Sequence, residues 1–258
     1  MNRNEISLRK KKLLDAMRIS TKITTDETMT MLGISKSTAT RLFIALEEEG
    51  KIIRIQNGAV LARENFEYTY DDLEFLNYNE KKQIGEFAST LVSSGDTIYL
   101  DSGTTLPHMC VALEKRISSG ELNNVRIFIR SLVNLNIFHK IPNVFCIGGI
   151  YRHAQRDFNG YISENAIGQL HFDKCFLGAD GLDVDGGITT VDFSSARLNS
   201  IVVSKSYEKY ILTDSSKLGK ISSIRYADIS DVTCLITDSK NPGYCDLLSE
   251  KKIIIRNV

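Results

Sequence analysis

Apolar residues recur at helical spacing along the first fifty positions and then give way to short apolar blocks alternating with amphipathic ones. Leu8, Leu13, Leu14 and Met17 form one stripe, which predicts a first helix with Ser7 as its cap. A second short helix is expected after Thr24. Asp26 and Glu27 sit in its first turn, where the helix dipole favours acids, and Gly33 supplies a left-handed stop. Ser35 then caps a third helix over 36–49, closed by Gly50. Ala39, Leu42, Phe43 and Leu46 are its inward face, while Lys36, Ser37, Thr38, Thr40 and Arg41 cluster in its first two turns. Residues 51–55 and 59–61 read as strands joined at Gln56-Asn57-Gly58, whose Asn-Gly pair is a hairpin turn signal. That hairpin is a candidate wing.

Residues 62–78 are polar, spotted with aromatics and acids (Asp71-Asp72), and lack a sustained period, so they read as a connector. A helix is expected from Asn79, its cap, through Ile84, Phe87, Ala88 and Leu91 to Gly95. A strand over 96–100 follows, then Asp101-Ser102-Gly103-Thr104-Thr105, then a helix from Leu106 with Pro107 in a first turn that tolerates it. Strands at 125–129, 144–147, 174–177, 210–213, 232–237 and 252–255 alternate with helices at 132–139, 162–169, 193–204 and 246–250. Alternation of this kind builds an α/β domain with a largely parallel sheet. Three segments are expected: 1–62, a small helical unit with a wing; 63–78, a linker; and 79–258, the α/β domain.

Charge changes this picture modestly. The chain carries 32 Lys and Arg against 32 Asp and Glu, yet residues 1–60 hold eleven basic against seven acidic side chains. A local positive surplus suits a phosphate-backbone partner. Helix, glycine turn and polar-faced helix is the layout of a helix-turn-helix, whose second helix enters a major groove by its first turns. The same pattern also fits a small bundle whose basic face meets only water. Cys110, Cys146, Cys175, Cys234 and Cys245 show no Cys-x-x-Cys pair, and no His stands at metal-ligand spacing, so reduced thiols and no metal are expected. No stretch approaches the ~18–20 apolar residues of a membrane span, and Met1-Asn2-Arg3-Asn4-Glu5 lacks a signal peptide's apolar core. A cytoplasmic location is expected.

The larger segment offers binding chemistry more than catalysis. Strand, small-residue loop and helix is an anion-binding arrangement, because free backbone N–H groups meet the positive end of a helix dipole. Ligands of parallel sheets gather at strand carboxyl ends. The loops expected there are 101–105, Arg130-Ser131, Gly148-Gly149, Gly178-Ala179-Asp180-Gly181 and Asp214-Ser215-Ser216-Lys217, the last bringing a cation. No Gly-x-Ser-x-Gly elbow exists, and Ser102 has no spaced His to complete a triad. His108, His139, His153 and His171 share no motif, and Asp180, Asp183 and Asp185 do not follow a calcium-loop pattern. No enzyme activity and no cofactor are expected.

The stretch from Met31 to Ala59, MLGISKSTATRLFIALEEEGKIIRIQNGA, resembles the winged helix-turn-helix of DeoR-type bacterial sugar-operon regulators. Ser35, Thr38, Arg41, Leu46, Gly50, Arg54, Gly58 and Ala59 carry the match. Further on, GDTIYLDSGTT, Gly148-Gly149, Phe158-Asn159-Gly160, DKCFLGADGLD, GGITTVD and LTDSSK are similar, in order, to motifs of the DeoR-type effector domain. That domain shares its fold with ribose-5-phosphate isomerase and CoA transferases. The resemblance implies a transcription regulator, most often a repressor of a carbohydrate-utilisation operon, acting as a homo-oligomer (dimer or tetramer) on double-stranded operator DNA. DNA contacts would come from Ser35, Lys36, Ser37, Thr38, Thr40 and Arg41, with Arg54 and Asn57 of the wing. A phosphorylated sugar would be sensed by Asp101, Ser102, Gly103, Thr104 and Thr105, with Arg130, Ser131, Gly148, Gly149, Asp180 and Lys217. An activator, or an enzyme of the isomerase-like fold, is the alternative.

The chain departs from the family pattern in places that bear on specificity. The usual Arg-Arg-Asp of the recognition helix is Thr40-Arg41-Leu42, and the His-Gly-Gly of the wing is Gln56-Asn57-Gly58. Thr-Asn-Ser has become Ile129-Arg130-Ser131. The Glu and Lys of the helix after the Thr-Thr-x-Asp motif are Ser195 and Asn199. Arg130 is therefore a candidate replacement for the lost Lys as an anion partner.

Overall fold

The computed structural model describes residues 3–20, 22–61, 69–238, 241–250 and 254–258, which fall into two compact units, Met1–Leu76 and Asn77–Val258. The first runs α1 (Arg3–Ser20), β1 (Lys22–Thr24), α2 (Thr25–Leu32), α3 (Lys36–Glu48), β2 (Ile52–Ile55), β3 (Gly58–Leu61) and α4 (Tyr70–Leu73). Helix α1 begins before Ser7, so Ser7 is an interior residue and not its cap. Glu5 in the first turn suits the dipole, and its pairing with Arg9 at 2.6 Å extends the helix backwards. Leu13 and Met17 of α1 pack with Phe43 and Leu46 of α3 and with Ile23, Ile52 and Ala59 of the strands, closing a small core.

Thr24 and Glu27 cap α2 reciprocally. The Thr24 hydroxyl accepts from Glu27 N at 3.1 Å, and the Glu27 carboxylate accepts from Thr24 N at 2.7 Å, which holds that carboxyl below its usual range. Gly33 (φ 61°) ends the helix and Ser35 caps α3, as the residue pattern predicts. Helix α3 stops at Glu48, one residue short of expectation.

Strand β1 is absent from the sequence reading, because three residues show no period. It pairs antiparallel with β3 and sets the order β1-β3-β2. Gly58 makes that approach feasible: a Cβ there would lie 2.2 Å from the carbonyl oxygen of Ile23. The expected linker 63–78 needs correction as well. Its 70–73 portion is α4, tied to the first unit by the Gln56 N–H donating to the Asp72 carbonyl (2.8 Å) and by Lys22 pairing with the Asp72 side chain (2.6 Å). Residues 63–68 of that stretch lie outside the described residues.

The second unit contains α5 (Tyr78–Ser89), β4 (Thr97–Leu100), α6 (Leu106–Ser118), β5 (Arg126–Ile129), α7 (Leu132–Ile137), β6 (Val144–Cys146), β7 (Ile150–Arg152), β8 (Asp157–Asn159) and α8 (Tyr161–Gly168). It continues with β9 (Phe172–Gly178), β10 (Gly181–Asp183), β11 (Gly187–Thr190), α9 (Phe193–Ser204), β12 (Ser206–Leu212), β13 (Ile224–Ala227), β14 (Cys234–Thr237), α10 (Pro242–Glu250) and β15 (Ile254–Asn257). Asn77 (φ 52°), not Asn79, occupies the cap position of α5, and the helix ends at Ser89, well before Gly95. The strand expected at 252–255 is β15, displaced by two residues, with 251–253 outside the described residues.

Seven parallel strands form the main sheet in the order β15-β14-β12-β9-β4-β5-β6. Alternating residues serve its two faces. Ile98 and Leu100 join α5 and α6 residues such as Ile84 and Met109, whereas Tyr99, Cys175 and Ile211 join α8 and α9 residues such as Ile167 and Leu198. Strand order reverses between β4 and β9, so the loops after these two strands flank a topological switch point, where α/β sheets open a crevice. The β7–β8 hairpin and the antiparallel sheet β10-β11-β13 are additions to the expected topology. Their strands are three or four residues long and too short to show an alternation.

Candidate functional site

In the first unit, α3 divides as its sequence predicts: Ala39, Leu42, Phe43 and Leu46 are buried, and Lys36, Ser37, Thr40 and Arg41 are exposed. The hydroxyls are partly engaged. Ser35 Oγ accepts from Thr38 N (3.4 Å) and lies 3.0 Å from the hydroxyls of both Ser37 and Thr38, while Thr40 Oγ1 donates to the Lys36 carbonyl at 2.9 Å. Among the described residues, Lys36 and Arg41 have no carboxylate partner. They are the cations presented on the leading half of the helix. On the wing, Asn57 (φ 63°) is exposed at the turn and its carbonyl accepts from Thr25 N at 2.7 Å, while Arg54 is half-buried and held by Glu47.

At the carboxyl end of the main sheet, Asp101 is a buried hub. Its Oδ1 accepts from Ser102 N (2.8 Å) and from Arg130 through Nε (3.2 Å) and Nη2 (2.9 Å). Its Oδ2 accepts from Asn199 Nδ2 (3.0 Å), and its carbonyl from Asn134 Nδ2 (2.9 Å). Arg130 is 1% exposed and also donates to Asp157, whose side chain is fully buried. Burial works against the guanidinium's charge, but Asp101 and Asp157 outweigh it and push its pKa above the ordinary value. Arg152 completes the chain of charges. It grips Asp157 at two points (Nε and Nη2, both 2.8 Å), pairs with Asp192 and donates to Ser195 Oγ at 3.1 Å. Asp192 in turn caps α9 through Ser194 N.

Ser195 and Asn199, which stand where the resemblance has Glu and Lys, thus enter the same network: Ser195 Oγ accepts from both guanidiniums, and Asn199 donates to Asp101. Arg130 lies beneath the site and not on its surface, because each of its nitrogens already has an acceptor inside the protein. The Tyr99 hydroxyl and the side-chain amide oxygens (Oδ1) of Asn134 and Asn199 are buried there without a hydrogen-bond partner.

The other expected residues divide between surface and scaffold. Gly103 (φ 99°) is exposed, Ser102 and Thr104 are half-buried, and Thr105 precedes α6. Lys217, half-exposed in the 3-10 turn Ser215–Lys217, has no carboxylate partner among the described residues. Ser131 is a buried cap of α7, with Asn134 N donating to its hydroxyl. The Gly148 carbonyl accepts from Ser163 Oγ (2.8 Å), and a Cβ on Gly149 would come within 2.3 Å of that hydroxyl, so this glycine pair seats the β7–β8 hairpin. Asp180 braces the loop before α9 by accepting from Thr190 Oγ1 and Val191 N.

Sequence reasoning missed Arg152, Asp157 and Asp192. All three are charged side chains in short segments whose partners lie up to 40 residues away in sequence, and no local pattern announces them. It also missed Asn77, whose Nδ2 donates to Asp214 Oδ1 (2.8 Å) and so ties the start of α5 to the turn that carries Lys217.

Comparison with known proteins agrees with this division. Residues 9–65 match the DeoR-like helix-turn-helix domain, and residues 76–239 match the DeoR C-terminal sensor domain. The chain is 32% identical over 229 residues to the uncharacterized HTH-type transcriptional regulator FruR of Bacillus subtilis, spanning 88% of this chain and 89% of that protein. It is 29% identical over 236 residues to the lactose phosphotransferase system repressor of Staphylococcus epidermidis, spanning 90% and 89%. Among solved structures, ribose 5-phosphate isomerase A of Methanocaldococcus jannaschii is similar over 55% of each chain, at 22% identity and a TM-score of 0.41, too distant a likeness to bear on function. Both matched domains and both relatives are regulatory proteins, not enzymes. With a winged helix-turn-helix ahead of a sensor domain, each matched in its own right, the chain belongs to the DeoR family of DNA-binding transcription regulators.

Proposed function

We propose that this regulator represses a carbohydrate-utilisation operon from the cytoplasm, binding its operator as a homo-oligomer and responding to a phosphorylated sugar. The observation that carries the DNA half is the pair of cations, Lys36 and Arg41, on the exposed leading half of a capped helix, neither with a carboxylate partner among the described residues. Ser35, Ser37, Thr38 and Thr40 surround them with short hydroxyls that let the helix approach a groove, and Asn57 and Arg54 of the wing add contacts at its flank. Arg41→Ala is expected to reduce affinity for the chain's own upstream DNA at least about 10-fold with the melting temperature unchanged. Retained affinity in a gel shift would remove Arg41 from the interface.

The sensing half rests on the switch point. Ser102, Gly103 and Thr104 stand in the loop at the carboxyl end of β4, Lys217 stands in the turn after β12 with no carboxylate partner among the described residues, and Asp101 pairs with the buried Arg130 at the base of the first of these loops. This suits an anionic, hydroxyl-rich ligand held by backbone N–H groups and one lysine. The hydrogen bond from Asn77 to Asp214 supplies a route outward, since Asn77 is the first residue of the second unit. A ligand that reshapes the Lys217 turn then reaches the chain entering α5, provided it binds the two arrangements unequally.

Ribose 5-phosphate, fructose 1-phosphate and glucose 6-phosphate, tested by thermal shift, would identify a ligand by a raised melting temperature. With that ligand, Asn77→Ala is expected to keep both affinities within about 3-fold while shrinking the ligand's effect on operator affinity, a coupling of about 5- to 150-fold in such systems. Full retention of the coupling would exclude this route.

A further inference from the structure

Glu47 lies in the last turn of α3, and Arg54 lies on β2, beyond the Gly50 turn. The Glu47 carboxylate takes two donors from that one residue: the backbone N–H at 3.1 Å (Oε1) and the side-chain Nε at 2.7 Å (Oε2). Both side chains are largely covered, at 26% exposure for Arg54 and 18% for Glu47. The hold therefore fixes the strand and the root of the guanidinium together. It leaves the Nη1 and Nη2 hydrogens, the outer fork of an arginine, without a protein acceptor among the described residues.

An acid beside a DNA-binding helix ordinarily weakens binding, because it repels the phosphates that the cations attract. Here the carboxylate is spent on orientation. Arginine loses several rotatable bonds' worth of freedom when it engages a phosphate, and a partner that removes this freedom in advance lowers the cost of the contact. Among the described residues, Lys36 and Arg41 have no such hold, so their side chains would have to order on binding.

We propose that Glu47 is a positioning residue that presents the outer fork of Arg54 to a DNA backbone phosphate. This rests on the reading of α3 and the wing as the DNA-binding surface. The test uses the full chain and a fluorescent duplex of its own upstream DNA, titrated at several salt concentrations, with Glu47→Gln, Arg54→Ala and the double variant.

Although Glu47→Gln removes a negative charge, it is expected to weaken binding about 3- to 10-fold. It should also reduce the magnitude of the slope of log affinity against log salt by about 0.9, the signature of one lost phosphate contact. On the Arg54→Ala background the same substitution is expected to leave affinity unchanged or to raise it. Glu47→Asp, too short to reach both donors, should fall between wild type and Glu47→Gln, and serves if the amide variant melts early. Tighter binding by Glu47→Gln in the otherwise native chain would overturn the proposal, as would an equal loss on both backgrounds. Wild-type protein that fails to bind the duplex would defeat the DNA-surface reading itself, an outcome distinct from either of these.

Discussion

Replacing Arg130 with alanine is expected to lower the melting temperature of the second unit by about 10 °C, a loss of about 3–5 kcal/mol. The guanidinium belongs to one of the largest fully buried side chains among the described residues, and it answers two buried carboxylates, those of Asp101 and Asp157. A buried ion pair adds little over an apolar substitute, but removing one partner strands the charge of the other in a medium that solvates it poorly. Asp157 keeps Arg152 in the variant; Asp101 keeps only the Ser102 N–H and Asn199 on its carboxylate, so most of the cost falls there. The emptied side-chain volume adds a cavity term. Arg130→Met with Asp101→Asn, which removes the charge on both sides, should regain a large part of the loss. Calorimetry of the three proteins decides, and a shift under about 2 °C for Arg130→Ala would mean that the network is not what holds the end of the sheet.

Gly58→Ala is the second large effect, this time on the DNA-binding unit. The added methyl would meet the Ile23 carbonyl oxygen at 2.2 Å and the Thr24 Cα at 2.9 Å. Both are backbone atoms, so no rotamer change relieves the clash, and β1 must move off β3. That breaks the Lys22↔Val60, Ile23↔Ala59 and Thr24↔Gly58 pairings and displaces Thr24, the cap of α2. Overpacking of about 1–3 kcal/mol and a disturbed cap of about 1 kcal/mol together amount to about 2–4 kcal/mol. In a unit of this size that corresponds to a fall in Tm of about 10–20 °C. Gly50→Ala is the control: Gly50 has φ 67° but nothing within 4 Å of its absent Cβ, so only the local backbone preference is lost, about 1 kcal/mol. If Gly58→Ala melts no lower than Gly50→Ala, the close approach of β1 is not a structural requirement.

Both predictions concern features that a reader of the sequence meets only in part. The Gly58-Ala59 pair marks a wing, and its Asn-Gly turn is a local signal, because a turn's dihedral demands fall on adjacent residues. That Gly58 also lies against a third strand depends on a strand of three residues, Lys22–Thr24, with no period to reveal it. Arg130 stands out as a departure from the family pattern at a strand end, where an arginine ordinarily faces solvent. Its burial follows from Asp157, brought in by a hairpin that also escapes a periodicity reading.

The candidate site divides in the same way. The glycine and threonine loop after β4 and the Lys217 turn were legible, since small residues between a strand and a helix make such loops recognisable. Arg152, Asp192 and Asn77 were not, because nothing about a lone Arg, Asp or Asn tells which distant side chain it will meet. Ser131 and Gly149 were legible as residues but not in these contacts: one caps a helix, and the other admits a hydroxyl.

The alternation of the longer helices with the strands of the main sheet, the capped α3 with its basic leading half, and the parallel α/β class of the second unit were determined by the sequence itself. Each depends on periodicity, capping or turn chemistry within a few residues. The tertiary structure alone decided which charges are spent and which are free. Arg130 and Arg152 are consumed by Asp101, Asp157 and Asp192, Arg54 is held by Glu47, and Lys36, Arg41 and Lys217 have no carboxylate partner among the described residues. The physical reason is that a charge's availability depends on what lies within about 4 Å of it and on how far water is excluded, and neither is a property of the residue or of its neighbours in the chain.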